Sequence, residues 1–213
     1  MSRCRANISR LHPIRKYLDA TFVRSEGLLR GAWVSDARVL RDSAMELVQV
    51  LKMLIVVMGV AGSGKTTLGR ALASALGEDF WDADDFHSDY CKEKMCAGQR
   101  LSSEDRRDWI NRIVDRAREQ TGRTVVLACS ALKTKTRGQL RMATGRNRLI
   151  FLRGAYNEIY PKLSERTQHY FSPRLLESQF EDLEEPDDAL LLQCYQPLPA
   201  LVSLSLAYIN GPK

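Results

Sequence analysis

The sequence contains no apolar run long enough to cross a membrane. Its longest such run, Met53 to Val60, falls far short of the roughly 20 residues that a membrane-spanning helix needs. Internal repeats and low-complexity segments are absent as well. Since 44% of the 213 residues are hydrophobic and 27% are charged, the chain can bury a core, and we expect a soluble protein with one domain and an appendage.

Cysteines are few, odd in number and without paired spacing. The five are Cys4, Cys91, Cys96, Cys129 and Cys194. This pattern argues against a disulfide framework and predicts reduced thiols in an intracellular compartment. Cys91 and Cys96, with His87 nearby, lack the spacing of common zinc fingers, and no second ligand pair follows. We therefore expect no metal ion at these cysteines.

Positive charge is concentrated at the amino-terminal end. Residues 1–52 contain ten basic and five acidic side chains, whereas residues 53–213 contain 22 and 21. The nearly neutral body argues against a nucleic-acid partner. The first acidic residue is Asp19, and such an acid-free start resembles an organelle transit peptide. The alternatives are a loosely structured extension and a chain whose effective start is Met53. We expect a cytoplasmic protein, or a mitochondrial one if the extension is a transit peptide.

From Met53 onward, short apolar strands alternate with amphipathic helices. The pattern predicts strands at 53–60, 80–83, 124–128, 148–152 and 189–192. Helices are expected between them: one ended by Gly77, one capped by Ser102, and others at 133–142, 156–166, after Ser172-Pro173 and at the carboxyl end. Such alternation implies right-handed crossovers and an α/β fold, with a parallel sheet covered on both faces.

A glycine-rich loop follows the first strand. Gly59, Gly64, Lys65 and Thr66 fill every fixed position of the Walker A pattern. Backbone amides of such a loop surround phosphate oxygens, the lysine is expected to reach the β- and γ-phosphates, and the Thr66 hydroxyl is expected to hold Mg²⁺. The predicted nucleotide-binding residues are Gly59, Val60, Ala61, Gly62, Ser63, Gly64, Lys65, Thr66 and Thr67.

An acidic turn, residues 82–87, follows the second strand. No guanine-reading NKxD tetrad occurs, and no DxxG follows this strand, which disfavours a GTPase. A carboxylate at the carboxyl end of the sheet can accept the proton of an attacking hydroxyl or help to hold Mg²⁺. The alternative is an acidic turn that is only solvated.

Five segments resemble those of gluconate kinases (gluconokinases), in the family's order and over about Met53 to Leu198: GVAGSGKTTLGRALA, DADDFH, KMCAGQRLSSEDRRDWI, LACSALK and HYFSPRLLESQFEDLEEP. The resemblance implies a P-loop kinase three-layer sandwich with a five-stranded parallel sheet, helices on both faces and a mobile lid. It also implies ATP- and Mg²⁺-dependent phosphorylation of D-gluconate to 6-phospho-D-gluconate, which feeds the pentose phosphate pathway. Members of the family are often dimers, so a homodimer is an open alternative. No membrane partner is expected.

The acidic turn and two cations are the expected acceptor-binding groups. Asp84 matches an aspartate of the family's turn and is expected to orient or deprotonate the acceptor hydroxyl, while His87 is expected to hydrogen-bond a sugar hydroxyl. A carboxylate substrate requires fixed cations, for which Arg106 and Lys133 are candidates. Trp109 either walls this pocket or packs in the core.

Two further basic residues belong to the lid that the resemblance implies. Arg166 ends one predicted helix and His169 begins the lid. We expect both side chains to close over the phosphates, with Arg166 taking part in catalysis and His169 also contacting the substrate.

The sequence departs from the family at three positions near the presumed pocket. Ala83 stands where glycine is usual, Cys91 replaces a frequent asparagine, and Arg100 replaces a frequent proline. These changes leave two alternatives open: a kinase for another small hydroxylated acceptor, or a nucleotide-binding regulator that has lost turnover. Shikimate is disfavoured as the acceptor because no glycine triplet follows the third strand.

Overall fold

A computed structural model describes residues 51–120, 122–142, 146–165 and 175–211. The strands are β1 Met53–Met58, β2 Asp79–Asp82, β3 Thr124–Ala128, β4 Asn147–Arg153 and β5 Leu190–Gln193. The α-helices are α1 Lys65–Leu76, α2 Asp89–Cys96, α3 Ser103–Arg118, α4 Thr134–Met142, α5 Tyr156–Ser164, α6 Leu176–Asp182 and α7 Leu198–Asn210, with a 3₁₀ turn at Ala83–Phe86. No described helix has the length and apolar character needed to cross a bilayer.

The five strands form one parallel sheet in the order β2-β3-β1-β4-β5. Side chains of the central strand alternate between two cores. Leu54 and Val56 belong to the cluster that contains Ile113 of α3. Ile55 belongs to the opposite cluster, with Leu72 of α1 and side chains of α7. The three-layer α/β sandwich expected from the sequence is thereby confirmed. The lid that the resemblance implies, expected to begin at His169, falls on residues outside the described ranges and remains a prediction.

The parallel arrangement brings three chain segments to one edge of the sheet. The glycine-rich loop follows β1, the 3₁₀ turn follows β2, and the segment 129–133 follows β3. Because β3 lies between β1 and β2, these three segments are neighbours at the carboxyl ends of their strands. A third apolar cluster, which includes Val60, Ile159 and Leu176, anchors the loop to α5 and α6.

Several element boundaries differ from the expected ones. β1 ends at Met58 and not at residue 60, and α5 ends at Ser164 and not at residue 166. β2 ends at Asp82, one residue earlier than expected, because its carboxylate accepts a hydrogen bond from the Asp84 amide and starts the 3₁₀ turn. The expected helix start at Ser172-Pro173 lies outside the described residues, and α6 begins at Leu176. Gly77 ends α1 with φ +67°, as expected.

The amino-terminal extension lies outside the described residues, so its boundary and its role remain predictions. The described part begins with Leu51, which is fully buried in the core cluster beneath α3. The Lys52 amide donates a 2.8 Å hydrogen bond to the Arg123 carbonyl. Both residues are therefore integral to the packed domain.

The capping box expected at α3 is confirmed. The Ser102 hydroxyl accepts a hydrogen bond from the Asp105 amide at 3.1 Å, and the Asp105 carboxylate accepts one from the Ser102 amide at 2.9 Å. Lys94 of α2 donates to the same carboxylate at 2.8 Å. These bonds, that of Lys94 foremost, lower the pKa of Asp105 to about 2, and they fix the start of the helix that carries Arg106.

Replacing Ser102 by alanine should lower the free energy of unfolding by about 1 kcal/mol, because an amide at the helix start loses its acceptor. Urea denaturation of the full chain measures the change. Ser103→Ala, at the first helical position, is the matched control and should change stability much less. Equal losses in the two variants would contradict the capping role.

Candidate active site

The glycine-rich loop between β1 and α1, called the phosphate loop from here on, requires glycine at two positions that have positive φ. Gly59 has φ +148°, and a Cβ there would lie 2.7 Å from both the Leu152 carbonyl oxygen and the Ser63 hydroxyl. Gly62 has φ +81°, and a Cβ there would meet the Ile159 side chain at 2.9 Å. The backbone therefore passes closer to its neighbours than any other residue allows, and the loop curls tightly at the start of α1. This curl is the backbone shape that cradles a phosphate chain.

The first two residues of α1 carry the polar groups of the loop. The Lys65 ammonium donates to the Val60 carbonyl at 2.9 Å, which folds the side chain back along the loop. The Thr66 hydroxyl donates to the Asp82 carboxylate at 2.8 Å. The residue before the helix, Gly64, provides no side-chain cap, so the first amides of α1 are available to an anion.

Asp82 links the phosphate loop to the acidic turn. Its second oxygen accepts from the Asp84 amide at 3.2 Å. Partial burial and the neighbouring Asp84 raise the pKa of the Asp82 carboxyl. A hydroxyl and a carboxylate are hard oxygen donors of the kind that Mg²⁺ takes in phosphate sites, so Thr66 and Asp82 fit this ion. Sequence reasoning named only Thr66; the position of Asp82, last in a strand and opposite the loop, was the available signal.

The acidic turn packs against an aromatic stack. The His87 ring lies 4.5 Å from the Trp109 ring at 13° between planes, and the Trp109 indole donates to the Ala83 carbonyl at 2.6 Å. His87 Nε2 lies 4.0 Å from an Asp84 oxygen. Among the described residues, His87 Nδ1 has no hydrogen-bond partner, and burial lowers the pKa of this histidine to about 4. His87 is therefore neutral at physiological pH.

Trp109 serves both of the roles that the sequence left open. It is only 6% exposed and belongs to the core, yet it also lines the cleft above the sheet edge. Ala83 is completely buried beside it and does not have a positive φ, so the turn holds an alanine without backbone strain. Of the other two departures, Arg100 lines the cleft, whereas Cys91 is buried on α2 and does not.

Three cations in the lining of this cleft meet one carboxylate. Asp182, at the end of α6, lies 3.0 Å from Arg106, 3.3 Å from Arg100 and 3.4 Å from Lys133. We call Arg100, Arg106 and Lys133 the cation cluster. Partial burial of Asp182 opposes its ionisation, but Arg106 and Lys133 outweigh that effect and lower the pKa of the carboxyl. Sequence reasoning found Arg106 and Lys133 but not Asp182.

A buried arginine holds the segment that carries Lys133. Arg137 is 6% exposed, and its guanidinium donates to the Ala131 and Leu132 carbonyls at 3.1 and 2.9 Å. Ala131 has φ +43°, the one positive φ of a non-glycine residue in the described ranges. Such a conformation costs about 1 kcal/mol or more, so the hydrogen bonds from Arg137 maintain a turn that the chain would not adopt alone.

One cleft brings most of the expected residues together. It is lined by Lys65, Thr66, Thr67, Asp84, His87, Arg106 and Lys133 among others. Of the predicted nucleotide-binding residues, Gly59, Val60 and Ser63 do not line the cleft, and the side chains of Val60 and Ser63 are buried. α6 is tied to the loop because the Ala61 amide donates to the Gln179 side chain at 2.6 Å. Arg166 and His169 lie outside the described residues, so their expected closure over the phosphates remains a prediction.

Comparisons with known proteins agree with this geometry. The family model described as shikimate kinase matches residues 61–191. A probable gluconokinase of Dictyostelium discoideum is 42% identical over 148 residues, which cover 66% of this chain and 74% of that protein. The thermoresistant gluconokinase of Escherichia coli is 34% identical over 166 residues, or 75% of this chain and 95% of that protein. The crystal structure of a gluconokinase from Sinorhizobium meliloti 1021 has a TM-score of 0.67 at 35% identity and covers 74% of this chain and 91% of its own.

The chain belongs to the gluconokinase family of P-loop kinases. The resemblance inferred from five short segments is thereby confirmed, as is the expectation of an enzyme of the kinase class. The shikimate kinase description of the family model reflects the shared P-loop kinase domain.

The neutral state of His87 predicts a pH-dependent stability. The folded-state pKa of about 4 lies below the ordinary 6.5, so the unfolded chain binds the proton more readily between these values. Stability should therefore fall by about 2 kcal/mol between pH 7 and pH 5 on account of this histidine. His87→Phe keeps an aromatic ring against Trp109 but cannot titrate. Urea denaturation at both pH values should give a smaller loss for the variant; equal losses would contradict a buried neutral histidine.

Proposed function

We propose that the chain transfers the γ-phosphoryl group of ATP to the 6-hydroxyl of D-gluconate and so forms 6-phospho-D-gluconate. The observation that supports this proposal is one cleft whose lining includes the phosphate loop, Asp84 of the acidic turn and the cation cluster. These three parts match the three parts of the reaction: a nucleotide phosphate, an attacking hydroxyl and an acceptor carboxylate. The names of the relatives described above point to the same acceptor.

The phosphate loop would hold the phosphates of ATP. Its backbone amides and the amino end of α1 would face the phosphate oxygens, and Lys65 would leave the Val60 carbonyl to bind the β- and γ-phosphates. Thr66 and Asp82 would hold Mg²⁺, which neutralises phosphate charge when bound.

Asp84 would act on the acceptor hydroxyl. Its side chain is 46% exposed toward the cleft, while its backbone amide is fixed by Asp82. As the hydroxyl oxygen forms a bond to the γ-phosphorus, the bond to the bridging oxygen of ADP breaks, and the hydroxyl proton passes to the Asp84 carboxylate. His87, being neutral, would contribute a hydrogen bond to a sugar hydroxyl and no charge.

Arg106 and Lys133 would bind the other end of the acceptor. Arg106 can present two parallel N–H groups to a planar carboxylate, and Lys133 adds a second positive charge. A hydroxy acid held at this end directs its distal hydroxyl toward Asp84 and the phosphate loop. Arg166 and His169 would complete the site by covering the phosphates and excluding water.

A coupled assay of the full chain tests the proposal. ATP, Mg²⁺ and D-gluconate should give 6-phosphogluconate, read out through its dehydrogenase, whereas ADP formation should stay at background when shikimate is the acceptor. Lys65→Ala should abolish transfer because the phosphates lose their cation. Absence of product from the wild type, with ATP still bound, would contradict gluconate as the acceptor and favour a different acceptor or a regulatory role.

Replacing Asp84 by asparagine should lower kcat by about 10²- to 10⁴-fold, because the proton acceptor is lost. ATP affinity, measured by calorimetry, should change little. Asp85→Asn removes the same charge from the adjacent exposed residue and is the matched control, with kcat near the wild-type value. Loss of ATP binding in the Asp84 variant would instead assign this carboxylate to the metal site.

A further inference from the structure

A carboxylate of the protein itself, that of Asp182, already pairs with all three residues of the cation cluster. Asp182 Oδ2 lies 3.0 Å from Arg106, and Oδ1 lies 3.3 Å from Arg100 and 3.4 Å from Lys133. Within the described ranges, no other acidic side chain pairs with three cations. The Asp182 side chain is only 17% exposed and lines the same cleft as the phosphate loop.

Two other acidic side chains contact the cation cluster, and both are more exposed to solvent than Asp182. Glu181 pairs with Arg100 at 3.0 Å, and Glu184 lies 3.7 Å from Lys133. Their side chains are 61% and 48% exposed, so solvent screens both. Asp182 is the one acidic partner of Arg106 in the described residues. Of these three acidic residues, Asp182 is therefore the least exposed partner of the cation cluster and the one that lines the cleft with it.

We propose that Asp182 occupies the place of the acceptor's carboxylate and competes with it for Arg100, Arg106 and Lys133. The inference rests on the proposed function and extends it in two ways. It adds Arg100 to the groups that bind the acceptor, and it makes Asp182 the residue that sets acceptor affinity.

The competition follows from charge and geometry. Each cation of the cluster stays paired in the free protein, which avoids leaving positive groups partly desolvated without a partner. A carboxylate substrate can take over the same donors, so the cations are paired before and after the exchange. Asp182 is the last residue of α6, and its side chain would rotate to release the cations. Two carboxylates sharing the cluster repel each other, so the charge of Asp182 opposes substrate binding.

Asp182→Asn tests the inference because it keeps the shape of the side chain and removes its charge. We expect the KM for gluconate to fall about tenfold, with kcat and the KM for ATP unchanged. Glu181→Gln removes the same charge one residue away, at the exposed side of Arg100, and should leave the KM for gluconate near its wild-type value. Arg100→Gln, made separately, should raise the KM for gluconate about tenfold with little change in kcat.

The possible outcomes distinguish failure of the inference from failure of the proposed function. If the wild-type chain makes no 6-phosphogluconate, the proposed function fails and the inference fails with it. If the wild type is active but Asp182→Asn has an unchanged or higher KM, only the inference is overturned, and Asp182 orders the cations instead of competing for them. If Asp182→Asn does not fold, an unchanged KM in Arg100→Gln overturns it.

Discussion

The hydrogen bond between the Thr66 hydroxyl and the Asp82 carboxylate joins the two halves of the site. Thr66 belongs to the phosphate loop, and Asp82 starts the turn that carries Asp84. Because both oxygens of Asp82 are engaged, the position of the acceptor turn relative to the phosphate loop is set before any substrate arrives. Phosphoryl transfer depends mainly on such positioning and on charge neutralisation, so this one contact underlies the remaining geometry.

Charge is divided across the cleft in a way that would orient a hydroxy acid. The acidic turn is joined to the loop through Asp82, and the cation cluster lines the same cleft as Asp84. His87, in the same lining, is a neutral ring stacked on Trp109. The Arg137 guanidinium keeps the Lys133 segment in a strained turn, so the cation cluster, like the acidic turn, is supported by groups that do not themselves contact the substrate.

The fold, and the site residues that directly follow strands, could be predicted from the sequence. Hydrophobic periodicity and the Walker A spacing predict them because both are local signals. Sequence reasoning placed the end of β2 one residue late because the capping side chain of Asp82 has no periodic signature. It missed Asp182, the structural role of Arg137 and the Gln179 contact with the loop for another reason. These contacts join residues that are distant in the sequence or depend on which face of a short helix is turned inward, and neither property can be read from spacing alone.

Calorimetric titration of the full chain, with a non-hydrolysable ATP analogue and Mg²⁺ present, measures the central claim most directly. That claim is that the cleft recognises an acceptor by its carboxylate while presenting its hydroxyl to the phosphate loop. D-gluconate should bind with an affinity that falls as the salt concentration rises. D-glucitol, which has a hydroxymethyl group in place of the carboxylate, should give no measurable binding at the same concentrations. Equal binding of the two compounds, independent of salt, would contradict the account.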